Sequence, residues 1–284
     1  MHYDMVNGKT NSTGTSYINC YAYMERRTVL KHLLRKKSKS AGLGLDLKPG
    51  DKHYRAYVGP PVSYDLVSAM VFNLLTSLGL RQHHRVLDIG CGSLRVGRLL
   101  IPYLNPRNYI GVEPNKWLVD DGIENEIGRD LLKIKKPTFS FRTSMEEFKN
   151  SLNLDFAVAQ SIFSHCGKDV IKGWLSQVSF HLKDNGALVA TFIADNKKDF
   201  DGHGWVYPKC VSYKSETIAE IASAFDLDFD ALDWAHPRQT WALFSKKNYD
   251  KSLIVGGPIS WNRFVAKAMG KRLPGQVCDT SNLE

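Results

Sequence analysis

Apolar positions in the middle of this chain fall into two rhythms, short continuous runs and longer stretches with helical spacing. From Pro60-Pro61 the segment YDLVSAMVFNLLTSLG repeats its apolar residues at helical intervals and is closed by Gly79, which predicts a helix. Runs and stretches then alternate. HRVLDI (84–89) predicts a strand, SLRVGRLLIPYL (93–104) a helix, NYIGVE (108–113) a strand and WLVDDGIENEIG (117–128) a helix. PTFSFRT (137–143) predicts a further strand, followed by a short helix near Met145–Leu152. The apolar strand LDFAVAQS (154–161), the helix VIKGWLSQVSFHL (170–182) and the strand GALVATFI (186–193) come next. After a polar loop stand a helix at SETIAEIASAF (215–225) and two strands, LDFDALDW (227–234) and TWALFSK (240–246). Apolar strands separated by helices predict a doubly wound α/β fold, its parallel sheet covered on both faces. Only Ala-His-Pro-Arg-Gln separates the last two strands. So short a link requires an antiparallel hairpin, because parallel strands need a long crossover. The expected sheet has seven strands, mainly parallel, with an antiparallel C-terminal hairpin.

The flanks differ in character. Residues 1–22 are polar, and 23–38 place Val29, Leu30, Leu33 and Leu34 at helical spacing among basic residues. Residues 39–53 read as a linker. Three regions follow: a basic, partly disordered extension (1–53), a central domain (54–246) and a C-terminal tail (247–284). The net charge of +9 is concentrated in residues 1–53, where ten Lys/Arg stand against four Asp/Glu. That charge belongs to the extension rather than to a site. The basic stripe at 23–39 is a solvated helix face, or a contact for an anionic membrane surface or nucleic acid. Five scattered cysteines without a CxxC pair point to a reducing compartment rather than to a disulfide framework or a zinc site. With no long apolar run, the chain reads as cytoplasmic, with peripheral membrane association the alternative.

The chemistry starts at the end of the first strand. Asp88 precedes Gly90-Cys91-Gly92, and a helix is expected from about Ser93. Glycines suit a sharp turn passing close to a ligand, and a helix N-terminus offers free N–H groups to an anion. Twenty-five residues beyond Asp88 the second strand ends in Glu113-Pro114, where an acid accepts hydrogen bonds from both ribose hydroxyls of an adenosine ligand. VLDIGCGS followed by a helix, then YIGVEPN, resembles the first two cofactor motifs of class I S-adenosylmethionine-dependent methyltransferases. The likeness covers about residues 60–246. It implies that Asp88 and the Gly90–Gly92 backbone hold the amino-acid part of the cofactor and Glu113 its ribose, with Ser144-Met145 beside the adenine. Many members carry a third glycine where this chain has Leu94. A dinucleotide loop needs its third glycine at the position of Arg95.

In an open α/β sheet ligands bind beyond the C-terminal strand ends. The rim there includes Gln160, Ser161 and His165 after the fourth strand, His203, Trp205 and Tyr207 after the fifth, and His236 and Arg238 in the hairpin; Tyr213 is a further aromatic candidate for an acceptor wall. A methyl acceptor must be aligned and deprotonated, and histidine has the unperturbed pKa for that task. His165 is the first candidate base, followed by His203 and His236, with Arg238 a candidate clamp for an anionic or hydroxyl-rich acceptor. QSIF in place of an Asp/Asn-Pro-Pro-aromatic tetrapeptide argues against exocyclic amines of bases and against glutamine. The absence of a Pro-Cys pair argues against C5-pyrimidine chemistry, and no His/Cys/carboxylate cluster has metal-ligand spacing. The leading expectation is methylation of a hydroxyl, or an amine, on a small molecule or glycan. The alternatives are an RNA or protein methyltransferase docking through the basic extension, and a nicotinamide oxidoreductase or non-catalytic cofactor-binding protein.

Overall fold

Residues 42–263 are described in the structure, a computed structural model. The chain divides into two compact units, Met1–Asp46 and Leu47–Glu284, and the account below concerns the described part of the second. The polar start, the basic stripe at 23–39 and the last part of the tail lie outside the described residues.

The second unit opens with α1 (Tyr54–Tyr57) and a 3₁₀ turn at Pro61–Ser63 that leads into α2 (Tyr64–Ser77). α2 buries Tyr64, Val67, Val71, Leu74 and Leu75, the single stripe that its sequence spacing predicts. Then come β1 (Val86–Ile89), α3 (Gly97–Tyr103), β2 (Tyr109–Val112), α4 (Lys116–Gly122), a π-helical turn at Ile123–Ile127, α5 (Arg129–Lys135) and β3 (Thr138–Ser140). The second half contains β4 (Leu154–Ala159), a 3₁₀ turn at Phe163–His165, α6 (Lys168–His181), β5 (Leu182–Ala194), β6 (Ser212–Tyr213), α7 (Ser215–Ser223), β7 (Asp228–Leu232) and β8 (Thr240–Ser245).

The strand order is β3-β2-β1-β4-β5-β8-β7, with β6 pairing β5 off that path. β1 is parallel to β2 and β4, while β8 runs antiparallel to both β5 and β7. The expected architecture is therefore present, with β8 slotted between β5 and β7. Period-2 alternation divides each central strand between two cores. Leu87, Ala157, Leu188 and Ala190 face a core closed by Ile171, Trp174 and Leu175 of α6 and Ile218 of α7. Val86, Phe156, Val158 and Val189 face the other, closed by Val71 and Leu74 of α2 and Leu100 of α3. Residues after the hairpin also pack here. Ile254 is buried, the Tyr249 hydroxyl donates to the Leu78 carbonyl at 2.7 Å, and the Trp261 and Trp234 rings lie 5.5 Å apart.

Four local expectations are corrected. The sheet gains an eighth strand, the two-residue β6. α1 and α5, too short for a clear periodicity, add two helices. The helix expected from Ser93 begins at Gly97, because Leu94 has φ of 60° and so cannot sit in a right-handed helix. No helix forms over Met145–Leu152: the Met145 amide donates to Gln177 Oε1 and the Leu152 amide to His181 Nδ1. Side chains of α6 thus hold both ends of the segment, and the Leu152 amide is not left for a local helix.

Candidate active site

β1 lies between β2 and β4, so successive crossovers leave it in opposite directions and open a crevice at its C-terminal end. A cavity of about 740 Å³ occupies that edge, floored by the loops after β1, β2 and β4 and roofed by the hairpin turn and the segment before α2. Its size falls within the roughly 300–1,000 Å³ usual for a small-molecule or cofactor site.

The loop after β1 requires its glycines. Gly90 and Gly92 have φ of 64° and 55°, and a Cβ on Gly90 would stand 2.2 Å from Ile162 Cδ1, one on Gly92 2.7 Å from Val58 Cγ1. Leu94 takes the same left-handed conformation without being glycine, at the position where many members carry a third glycine. From below, Gly122 of α4 brings its Cα against the Ser93 carbonyl, and a Cβ there would lie 2.4 Å from that oxygen.

Glu113, buried at the end of β2, lines the cavity. Its Oε2 accepts from the Gly92 amide at 3.1 Å, and its Oε1 from the backbone and side-chain nitrogens of Asn115, each at 2.8 Å. Burial raises its pKa while those three donors oppose the rise. The result is a carboxylate fixed against the loop with lone pairs to spare. Asp88 behaves differently. It is 2 % exposed, does not line the cavity, and accepts from the Tyr109 hydroxyl at 2.7 Å. Burial pushes its pKa up to about 7.

The sequence candidates therefore separate. Gly90, Gly92, Glu113, Pro114, Gln160, Ser161, His165, His236 and Arg238 line the cavity. Asp88, Cys91, Ser93, Ser144, Met145 and His203 do not; next to the Ser144-Met145 pair it is Thr143 that lines it. Cys91 packs its Sγ beneath Gly111, Ser93 is held by the Tyr64 hydroxyl, and Met145 is in the core. His203 points to solvent, 87 % exposed, with Asp169 4.0 Å from its Nδ1.

The two cavity histidines have opposite tautomers. His165 Nδ1 lies 2.8 Å from the Lys209 carbonyl, which only accepts, so Nδ1 carries the proton and Nε2 keeps its lone pair. Its ring packs 4.9 Å from Tyr207 and 6.0 Å from Trp205, and burial lowers its pKa below the ordinary value. In His236, Nδ1 accepts from the amides of Arg238 and Gln239 at 3.1 and 2.9 Å. Neutral His236 therefore holds its proton on Nε2 and donates, which does not suit it to the expected role of a base. Trp205 and Tyr207 line the cavity as aromatic walls, whereas Tyr213 is buried with its hydroxyl on the Cys166 carbonyl. Among the described residues no group of three or more His, Cys, Asp or Glu has an arrangement that holds a metal. Nor is any described helix long and apolar enough to cross a membrane.

Sequence reasoning missed three contributors. Arg95 entered it only as a missing dinucleotide glycine, yet it is a buried arginine in the cavity wall, donating to the Val58 carbonyl and to Gln160 Oε1. A basic residue inside the glycine turn was the available signal. Tyr57 and Val58, just before the predicted domain helix, also line the cavity; Tyr57 accepts from the Tyr207 hydroxyl through its carbonyl.

Comparison with known proteins agrees with this geometry. Residues 87–188 match the family model described as a methyltransferase domain. No sequence among the curated proteins matches the chain. Among solved structures, magnesium protoporphyrin IX methyltransferase from Synechocystis PCC 6803 with bound S-adenosylmethionine is similar, at 12% identity and TM-score 0.52, over 78% of this chain and 97% of that one. A protein from Pyrococcus horikoshii OT3 is similar at 14% identity and TM-score 0.50, over 71% of this chain and 97% of that one. At such identities the likeness concerns the fold. Strand order and the matched region agree: residues 87–188 are similar to a methyltransferase domain, and the fold is the mainly parallel, Rossmann-like one of the class I S-adenosylmethionine-dependent methyltransferases.

Proposed function

We propose that the protein methylates a hydroxyl, or an amine, of a small-molecule or glycan acceptor, with His165 as general base. The observation that carries this reading is the tautomer of His165: Nδ1–H is committed to the Lys209 carbonyl, which leaves Nε2 basic on a residue that lines the cavity beside two aromatic rings. The cavity residues fit the cofactor of the family. Glu113 offers a buried carboxylate to the ribose hydroxyls, and the Gly90–Gly92 backbone passes close to where the amino-acid end would lie. When bound, S-adenosylmethionine supplies a methyl group on a sulfonium centre.

The chain's own residues do the rest. Trp205 and Tyr207 present flat apolar faces that orient an acceptor and keep water from it. Nε2 of His165 would take the proton of the acceptor's hydroxyl or amine as that group is methylated, the methyl–sulfur bond of the cofactor breaking to leave the neutral thioether. Burial favours neutral His165, the form that can accept that proton. Such a base contributes about 10²–10⁴-fold. Arg238, exposed at the cavity mouth, gives an acidic or hydroxylated acceptor a second contact.

Incubation with methyl-labelled cofactor and a panel of phenols, sugars, RNA and protein tests the reading. Label should move to a small molecule or glycan, about a hundredfold or more slowly in His165→Ala, with S-adenosylhomocysteine affinity unchanged. Label entering only RNA or protein, or a fully active His165→Ala, would overturn it.

A further inference from the structure

Arg95, Gln160 and His236 come from three elements, the turn after β1, the end of β4 and the β7–β8 hairpin, and meet in the cavity wall. Their hydrogen-bond roles do not close among themselves. Arginine only donates, so its contact fixes the Gln160 amide with Oε1 toward Arg95 and Nε2 away from it. That Nε2 then lies 3.4 Å from His236 Nε2. His236 Nδ1 already accepts two backbone amides, so its Nε2 carries hydrogen as well. Two donors thus face each other beside a guanidinium, with no acceptor between them.

The charge is unmatched too. The hydrogen bonds of Arg95 reach only neutral groups, the Val58 carbonyl and the Gln160 amide. Among the described residues it makes no ion pair; Asp88 acts on it from farther away. Burying an arginine without a partner is costly unless an anion completes the site. Burial and the charge of Arg95 together hold the His236 pKa down, to about 4, so protonating His236 is not the way this wall is balanced.

We propose that Arg95, Gln160 and His236 form a carboxylate-binding subsite of this cavity, one carboxylate oxygen bridging the facing N–H groups of Gln160 and His236 and the charge resting on Arg95. The inference deepens the methyltransferase reading and rests on it. The carboxylate has two sources, the amino-acid end of the cofactor or an acidic methyl acceptor, and either satisfies the same donors.

Calorimetric titration separates them. Wild type, Arg95→Gln and Gln160→Glu are each titrated with S-adenosylhomocysteine and with 5′-methylthioadenosine, the same nucleoside thioether without the amino-acid end. Each is then saturated with S-adenosylhomocysteine and titrated with benzoate. Gln160→Glu keeps the side-chain volume and gives Arg95 an internal partner, so it stays informative if Arg95→Gln fails to fold. If the cofactor is the source, both variants bind S-adenosylhomocysteine at least about tenfold more weakly and 5′-methylthioadenosine unchanged. If the acceptor is the source, both nucleosides bind as in wild type, and benzoate binding, present in wild type, is lost. Variants indistinguishable from wild type in every titration overturn the subsite while leaving the methyltransferase reading intact. A wild type that binds neither nucleoside overturns both.

Discussion

Leu94 sets two residue-scale energies against each other. Its left-handed backbone costs about 1–2 kcal/mol, which glycine would relieve. Its side chain is fully buried against Gly97 and Gly122, and removing a buried leucine costs about 2–5 kcal/mol. Packing outweighs strain, so Leu94→Gly should destabilise by about 2 kcal/mol in denaturant melts, although it restores the residue commoner in the family; a gain in stability would show the strain to be the larger. At His165 the prediction concerns pH. The base must be neutral, and its pKa is lowered by burial against the opposing Lys209 hydrogen bond. The acid limb of kcat/KM should therefore fall below the ordinary histidine value of about 6.5, with activity flat from there to pH 8. An acid limb above pH 7 would assign the base elsewhere.

Elements reach this site through close approaches of backbone. α4 ends at Gly122, whose missing Cβ lets the helix rest on the Ser93 carbonyl, and that contact sets the height of the loop above it. Gly122→Ala gains about 1 kcal/mol of helix propensity. It also drives a methyl group to 2.4 Å from a backbone oxygen that cannot swing aside. We expect net destabilisation of about 1–3 kcal/mol with weaker S-adenosylhomocysteine binding, read by thermal melts with and without ligand; an alanine variant equal to wild type in both would show that the helix and loop shift together freely. The same scale explains which elements were legible. Periodic stretches such as α2 and α6 declared themselves, because their spacing is what buries them. The Met145–Leu152 segment had a helical composition, but Gln177 and His181 of a distant helix hold its first and last amides.

For the whole molecule, Asp88 makes folding stability depend on pH. Its folded pKa of about 7 exceeds the ordinary aspartate value of 3.8, because burial disfavours the ionised form. The native state therefore binds this proton more tightly than the unfolded chain. Stability from this group is fully present below about pH 4 and is lost as pH rises through about 7. Asp88→Asn cannot ionise. Its unfolding free energy should match wild type near pH 4 and exceed it by on the order of a few kcal/mol at pH 8. A difference that stays constant from pH 4 to 8 would show that Asp88 ionises as an ordinary exposed carboxylate does. The burial that produces this effect also keeps Asp88 under the loop rather than in the cavity.

The sequence by itself determined the order of strands and helices, the terminal hairpin, the glycine loop and Glu113, because these follow from local periodicity, chain-length limits and short-range turn geometry. It also brought His165 to the cavity edge, because only a short turn separates it from the end of β4. Only the tertiary structure decided which way each histidine holds its proton, because the Lys209 carbonyl and the Arg238 and Gln239 amides are assigned by packing. His203 left the rim for the same reason, its loop turning it toward solvent beside Asp169. Arg95, Gln160 and His236 lie far apart along the chain, and no local pattern joins them. Their meeting is a product of the doubly wound sheet, which brings the ends of β1 and β4 and the hairpin turn to one place.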